Sequence, residues 1–130
     1  MQTVETHGTF DDVIRGSSGE VKELAQLTHD LIADIYPDVF VVPWPRQKIV
    51  GYGVGPKKMS EHFAYIGLFA KHINLGFNYG ADLPDPEKLL EGSGKKFRKV
   101  SIRAKEELGQ AGVRKLIEAA IRERQIALGM

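Results

Sequence analysis

His62-Phe63-Ala64-Tyr65-Ile66-Gly67-Leu68-Phe69-Ala70-Lys71-His72-Ile73-Asn74-Leu75-Gly76-Phe77-Asn78-Tyr79 reads as two strands folded back on each other. Centring the turn on Ala70-Lys71 sets Leu68 opposite Ile73, Ile66 opposite Leu75 and Ala64 opposite Phe77. Strand side chains alternate with a period of two, so all six point to one face. The opposite face carries Phe63, Tyr65, Phe69, His72, Asn74 and Asn78, with Tyr65 facing Gly76. One face is a core face; the other, aromatic and polar together, reads as open.

Upstream, Val39 to Pro43 and Lys48 to Val54 keep the period of two on either side of a Pro43-Trp44-Pro45 corner, and Gly55-Pro56-Lys57-Lys58 marks the next turn. Before them, Ser17-Ser18-Gly19-Glu20 has capping-box spacing and opens a helix at Ser17 that stops before Pro37. Its stripe of Val21, Leu24, Ala25, Thr28, Leu31, Ile32, Ile35 and Tyr36 falls on one broad face. Residues 1–8 lack periodicity and read as a tail, after which Thr9-Phe10-Asp11-Asp12 caps a single helical turn ending at Gly16. Downstream, Asp85-Pro86 supplies an N-cap and first-turn proline for a short helix through Leu89 and Leu90, closed by Gly92. Val100 and Ile102 alternate with Lys99, Ser101 and Arg103 in a final strand whose exposed side is basic. The last helix keeps helical spacing at Val113, Leu116, Ile117, Ala120 and Ile121, a stripe that Leu128 would extend, with Arg114, Lys115, Glu118, Arg122, Glu123 and Arg124 on its solvated side. The order predicts an α+β fold, a mostly antiparallel sheet of about five strands with the N- and C-terminal helices packed on one face. Residues 1–16 would be a tail and short helical turn, and residues 17–130 a single domain.

Composition sets bounds on function. The 130 residues are 42% hydrophobic and 27% charged, an ordinary globular balance. With no cysteine, disulfides, thiolate metal sites and cysteine nucleophiles are excluded. The longest apolar run, Val39 to Trp44, is far short of a bilayer span, and Met1-Gln2-Thr3-Val4-Glu5 lacks the features of an export signal, so the expectation is a cytoplasmic protein without membrane contact. Net charge is +1, unevenly placed: residues 1–45 hold eight acids against two bases, a net of −6, and residues 46–130 hold sixteen bases against nine acids, a net of +7. Mutual neutralisation of the two parts is the simplest reading.

The run Leu75-Gly76-Phe77-Asn78-Tyr79-Gly80-Ala81-Asp82-Leu83-Pro84-Asp85-Pro86, followed by Leu89-Leu90-Glu91-Gly92-Ser93-Gly94-Lys95-Lys96-Phe97-Arg98, resembles the bacterial YdhG-like domain of unknown function. Gly51-Tyr52-Gly53, Phe63-Ala64 and His72-Ile73-Asn74-Leu75 extend the resemblance over most of residues 20–125. Many members have Arg-His where this chain has Arg98-Lys99, which counts against a role needing an imidazole there. The resemblance implies a small cytoplasmic single-domain protein, and one described member is a frataxin-like iron chaperone.

Gly92-Ser93-Gly94-Lys95-Lys96 invites a phosphate-loop reading, but Walker A spacing fails: neither Lys88 nor Leu89, seven and six positions before Lys95, is a glycine, and no Ser or Thr follows the lysine. A tight turn is the plain reading; anion contact through Lys95, Arg98 and backbone amides is the functional one. Glu20, Glu23, Asp30 and Asp34 form an acidic ridge along one flank of the first long helix, hard oxygen ligands of the kind that hold iron weakly. This ridge resembles the acidic helix of frataxins. Four acids over roughly four turns cannot close one coordination sphere, so binding there would be open and multi-site. The four histidines lie too far apart in this register to form one metal site. No nucleophile elbow or paired-carboxylate cleft is visible. Lys95, Lys96, Phe97, Arg98, Lys99, Arg103 and Lys105 mix cation and aromatic, yet overall charge is too near neutral for a nucleic-acid binder.

Trp44, Tyr52, Tyr65 and Phe69, with His72 and Asn74, would line a small-molecule pocket on the open sheet face, or be buried there in a homodimer. The reading is therefore a non-enzymatic domain that binds a small anionic ligand or a protein partner through this face and the Lys95/Arg98 turn. A frataxin-like iron chaperone using the acidic helix, with iron as its cofactor candidate, is the first alternative; a small enzyme is the second.

Overall fold

The computed structural model describes residues 1–130. A six-stranded sheet runs in chain order: β1 (Gln2–Thr3), β2 (Phe40–Trp44), β3 (Ile49–Gly53), β4 (His62–Leu68), β5 (Ile73–Phe77) and β6 (Arg98–Ile102). Every pairing is antiparallel except β1 with β2. The helices are α1 (Phe10–Ile14), α2 (Gly19–Ile35), the single turn α3 (Lys58–Glu61) and α4 (Ala111–Ala127). The fold is α+β, with α2 and α4 on one sheet face, and no helix is long and apolar enough to cross a membrane.

The β4–β5 register is the one the apolar pattern selects: Ala64 opposes Phe77, Tyr65 opposes Gly76, Ile66 opposes Leu75 and Leu68 opposes Ile73. Those six apolar side chains are buried beneath the helices together with Val50, Tyr52 and Ile102 of the flanking strands. From α2 the core receives Val21, Leu24, Ala25 and Ile32, and from α4 Val113, Leu116, Ile117, Ala120 and Ile121. Thr28 joins them without an unmet polar group, because its hydroxyl donates to the Leu24 carbonyl at 2.8 Å.

Several expectations need correction. The count is six strands because residues 1–8 are not a loose tail: Gln2 pairs with Phe40 and Thr3 with Val41. Nor is the segment before residue 17 separate from the domain, since Val13 of α1 is buried in the core and Phe10 packs against it. Thr9 does cap α1, through a capping box with Asp12. Ser18, one residue later than expected, caps α2 by accepting from the Val21 N–H at 3.2 Å. The short helix after Asp85 does not form. Asp85 behaves as a cap, accepting from Leu89 and Leu90 N–H groups, but Lys88 has φ +55°, and that left-handed residue stops a helix from propagating. Arg124 is not solvated; it is buried against Tyr79.

Candidate functional site

One irregularity in the sheet builds the site. Between β3 and β4 the register shifts, so that Tyr52 opposes Ala64 while Gly53 opposes His62. Phe63 is the extra residue of a bulge. It turns toward the helices and is buried in the core, its ring edge-on to Tyr36 at 6.3 Å. The expected placement of Phe63 on the open face is therefore wrong, and His62 takes that face instead. Its ring lies 5.8 Å from Trp44, at the floor of a groove of about 240 Å³. Trp44, Ile49, Lys58, Met59, Tyr65, Asn78 and Phe97 complete the lining around Gly51.

Glycines let these rings lie close to the sheet. A Cβ on Gly76 would meet the Tyr65 ring at 2.0 Å, one on Gly51 would meet Trp44 at 2.7 Å, and one on Gly53 would meet the Gly55 carbonyl oxygen at 2.4 Å and the His62 ring at 2.6 Å. Tyr65 meets Phe97 edge-on at 6.4 Å, and both rings line the groove with Trp44. At its rim the Lys58 ammonium sits 5.1 Å from the centre of the Trp44 ring, within cation–π range. The short α3 segment carrying Lys58 and Met59 is held from beneath. Arg124 donates to the Ser60 carbonyl at 2.9 Å, stacks on Tyr79 at 3.4 Å and is clamped by both oxygens of Glu123 at 2.7 Å, while the Tyr79 hydroxyl donates to the Met59 carbonyl.

The polar atoms of the groove are poorly satisfied. His62 is 1% exposed and Asn78 8%, yet His62 Nε2 and Asn78 Oδ1 have no hydrogen-bond partner. Most buried polar atoms are paired, and an unmet one costs about 1–3 kcal/mol. Burial holds the imidazole neutral, bringing its pKa down to about 4, with the nearby Pro56 carbonyl opposing the shift only in part. Burial likewise pushes the Tyr65 phenol above its ordinary value.

Of the residues predicted as ligand-binding, the groove brings together Trp44 and Tyr65. Tyr52 is a correction: opposite Ala64 it points beneath the helices, fully buried, and its hydroxyl shares a 2.8 Å hydrogen bond with His29 Nδ1. Burial raises the Tyr52 pKa and lowers that of His29. His72 sits at the hairpin turn, stacked on Phe69 at 4.8 Å, away from the groove. Asn74 is on the open face but occupied: its Oδ1 accepts from the Ser101 hydroxyl at 3.2 Å, which accepts from Lys99 at 3.3 Å. Lys95 is exposed on the loop and Arg98 curls back on its own turn, donating to the Gly94 and Phe97 carbonyls at the surface. That guanidinium serves loop closure, and Lys95 and Arg98 do not converge with the groove.

The acidic ridge is dispersed. Asp30 accepts from Gln26 at 2.9 Å, Asp34 pairs with Arg114 at 3.6 Å, and Glu20 and Glu23 border a depression shared with Arg103 and Lys105. No three His, Asp or Glu side chains converge in a group able to hold a metal ion.

Alternation alone could not find His62, Lys58, Met59 and Asn78 as one site. The available signal was Gly51-Tyr52-Gly53, since glycines inside a strand mark bulges or close approach by another group. Compared with known proteins, the chain matches no family model, no curated protein and no solved structure.

Proposed function

We propose that this chain is a non-enzymatic cytoplasmic binding domain of the YdhG-like kind, and that it holds a small planar ligand in the groove on its open sheet face. The observation that carries this reading is the close approach of three rings to three glycines. Trp44, His62 and Tyr65 occupy space that a Cβ on Gly51, Gly53 or Gly76 would deny them. Side-chain-free backbone under aromatic rings makes a shallow apolar slot, and two buried polar atoms without partners lie on its lining residues. At about 240 Å³ the slot suits a ligand of one or two rings, below the size of a typical drug.

Trp44 is the only tryptophan in the chain, so its emission reports on the groove directly. Nicotinamide, a planar quencher of indole emission, is a suitable probe. A saturable quench in the wild type that becomes linear and collisional in Tyr65→Ala supports the reading. A linear quench in both proteins contradicts it. So does a sedimenting dimer that hides Trp44 from the probe, since the same face would then be a subunit seam.

A further inference from the structure

Building on that reading, we propose that the ligand of the groove is an aromatic anion, a ring bearing a carboxylate or similar acidic group, with the ring between Trp44 and Tyr65 and the acidic group at Lys58. Lys58 is the only charged side chain in the lining, and no carboxylate shares the groove with it. Ion pairs in the molecule involve Arg15, Arg114 and Arg124; Lys58 has no carboxylate within 4 Å. Its ammonium instead sits against the Trp44 ring, where a bound ring stacked on that indole would bring an attached anion within its reach.

The carboxylate of α3, Glu61, accepts from the Lys57 N–H at 2.9 Å and is not part of the lining, while two further lysines stand close by. Lys96 lies 5.7 Å from the centre of the Tyr79 ring beside the groove residue Asn78, and Lys99 stands on the open face opposite Gly76. His62 adds no charge at neutral pH, since burial keeps its imidazole unprotonated. A cation would meet like charge at the rim, and a neutral ring would leave Lys58 uncompensated. Electrostatic complementarity of this kind sets preference among ligands of one shape more than it sets total affinity. Asn78 supplies the remaining polar contact, because rotation of its amide presents either a donor or an acceptor to the ring edge.

Three probes on one pyridine ring separate the outcomes: nicotinate (anion), its isostere nicotinamide (neutral) and 1-methylnicotinamide (cation, larger by one methyl), each titrated against Trp44 emission at low salt. The expected result is saturable quenching by nicotinate at about five- to tenfold lower concentration than nicotinamide, and none by the cation. The preference should disappear in Lys58→Gln, nicotinate and nicotinamide then quenching at similar concentrations, and it should shrink at high ionic strength in the wild type; Lys58 is exposed, so this variant keeps the fold. Equal binding of nicotinate and nicotinamide would overturn the anion assignment and leave the groove reading standing. Absence of saturable quenching by all three would overturn both.

Discussion

The two faces of the β4–β5 hairpin obey opposite rules. On the helix side Ala64, Ile66, Leu68, Ile73, Leu75 and Phe77 are all buried, each contacting others of its kind. On the other side, residues one position away include Tyr65, Gly67, Asn74 and Gly76, and the groove they adjoin leaves His62 Nε2 and Asn78 Oδ1 without partners. The same backbone and the same hydrogen-bond ladder support both. One face is optimised for removing apolar area from water; the other gives up side chains at glycines and tolerates unmet polar atoms. Features that lower stability without a packing return are what a binding surface retains.

Substitutions should expose that division. Ile66→Ala, on the helix side, should cost roughly 2–5 kcal/mol in urea unfolding and leave probe affinity of the folded protein unchanged, because it opens a cavity remote from the groove. A similar loss of affinity would show that the faces are not independent.

Acid should act mainly through the open face. The His62 pKa falls from 6.5 in the unfolded chain to about 4 in the fold, so between these values the unfolded chain binds the extra proton. Stability should therefore drop as pH falls from 6.5 toward 4, by on the order of 3 kcal/mol from this group, and flatten below. His29, also depressed by burial, adds in the same direction. Urea midpoints across this range should fall less steeply in His62→Gln; an unchanged slope would place the acid sensitivity elsewhere.

Gly76→Ala separates binding from folding most cleanly. Its Cβ must displace the Tyr65 ring, while alanine is otherwise the better strand residue, so net stability should change by no more than about 1 kcal/mol. Saturable quenching of Trp44 should nonetheless be lost. Retained binding would mean that Tyr65 is not a wall of the site.

The smallest effect belongs to the acidic ridge. Glu23, Asp30 and Asp34 changed together to Ala should shift stability by less than about 1 kcal/mol, since the Asp34–Arg114 pair is exposed. Calorimetric titration with ferrous iron should show no saturable site in either protein. Saturable binding lost in the variant would move the functional surface from the sheet to α2.

The helix side was legible in the sequence because burial imposes a period: 2.0 in the strands, 3.6 in α2 and α4, with Pro37 and the serines fixing an end of α2. The open face was legible only where it kept that period, as at Trp44 and Tyr65. A single extra residue, Phe63, carried His62 to one face and Phe63 itself to the other, and no alternation rule contains that step. Tyr52 was misplaced for a different reason: the pocket reading grouped it with the aromatics of the open face, whereas its parity in β3, shared with Val50, puts it under α2 beside His29. Asp85 shows the same limit at a helix start, since a carboxylate capping two N–H groups serves a turn as well as a helix. The short strand Gln2–Thr3 has too few residues to show any period, and its place is decided by the free edge of β2.

Amide and indole chemical shifts, followed during titration of nicotinate into the isotopically labelled protein, test the central claim most directly. The account predicts saturable changes confined to Gly51, Gly76, the Trp44 indole and the Asn78 side-chain amide, with the α2 and α4 amides unmoved. Changes centred on Lys95 and the loop before β6, or on Glu23 and its neighbours along α2, would contradict it.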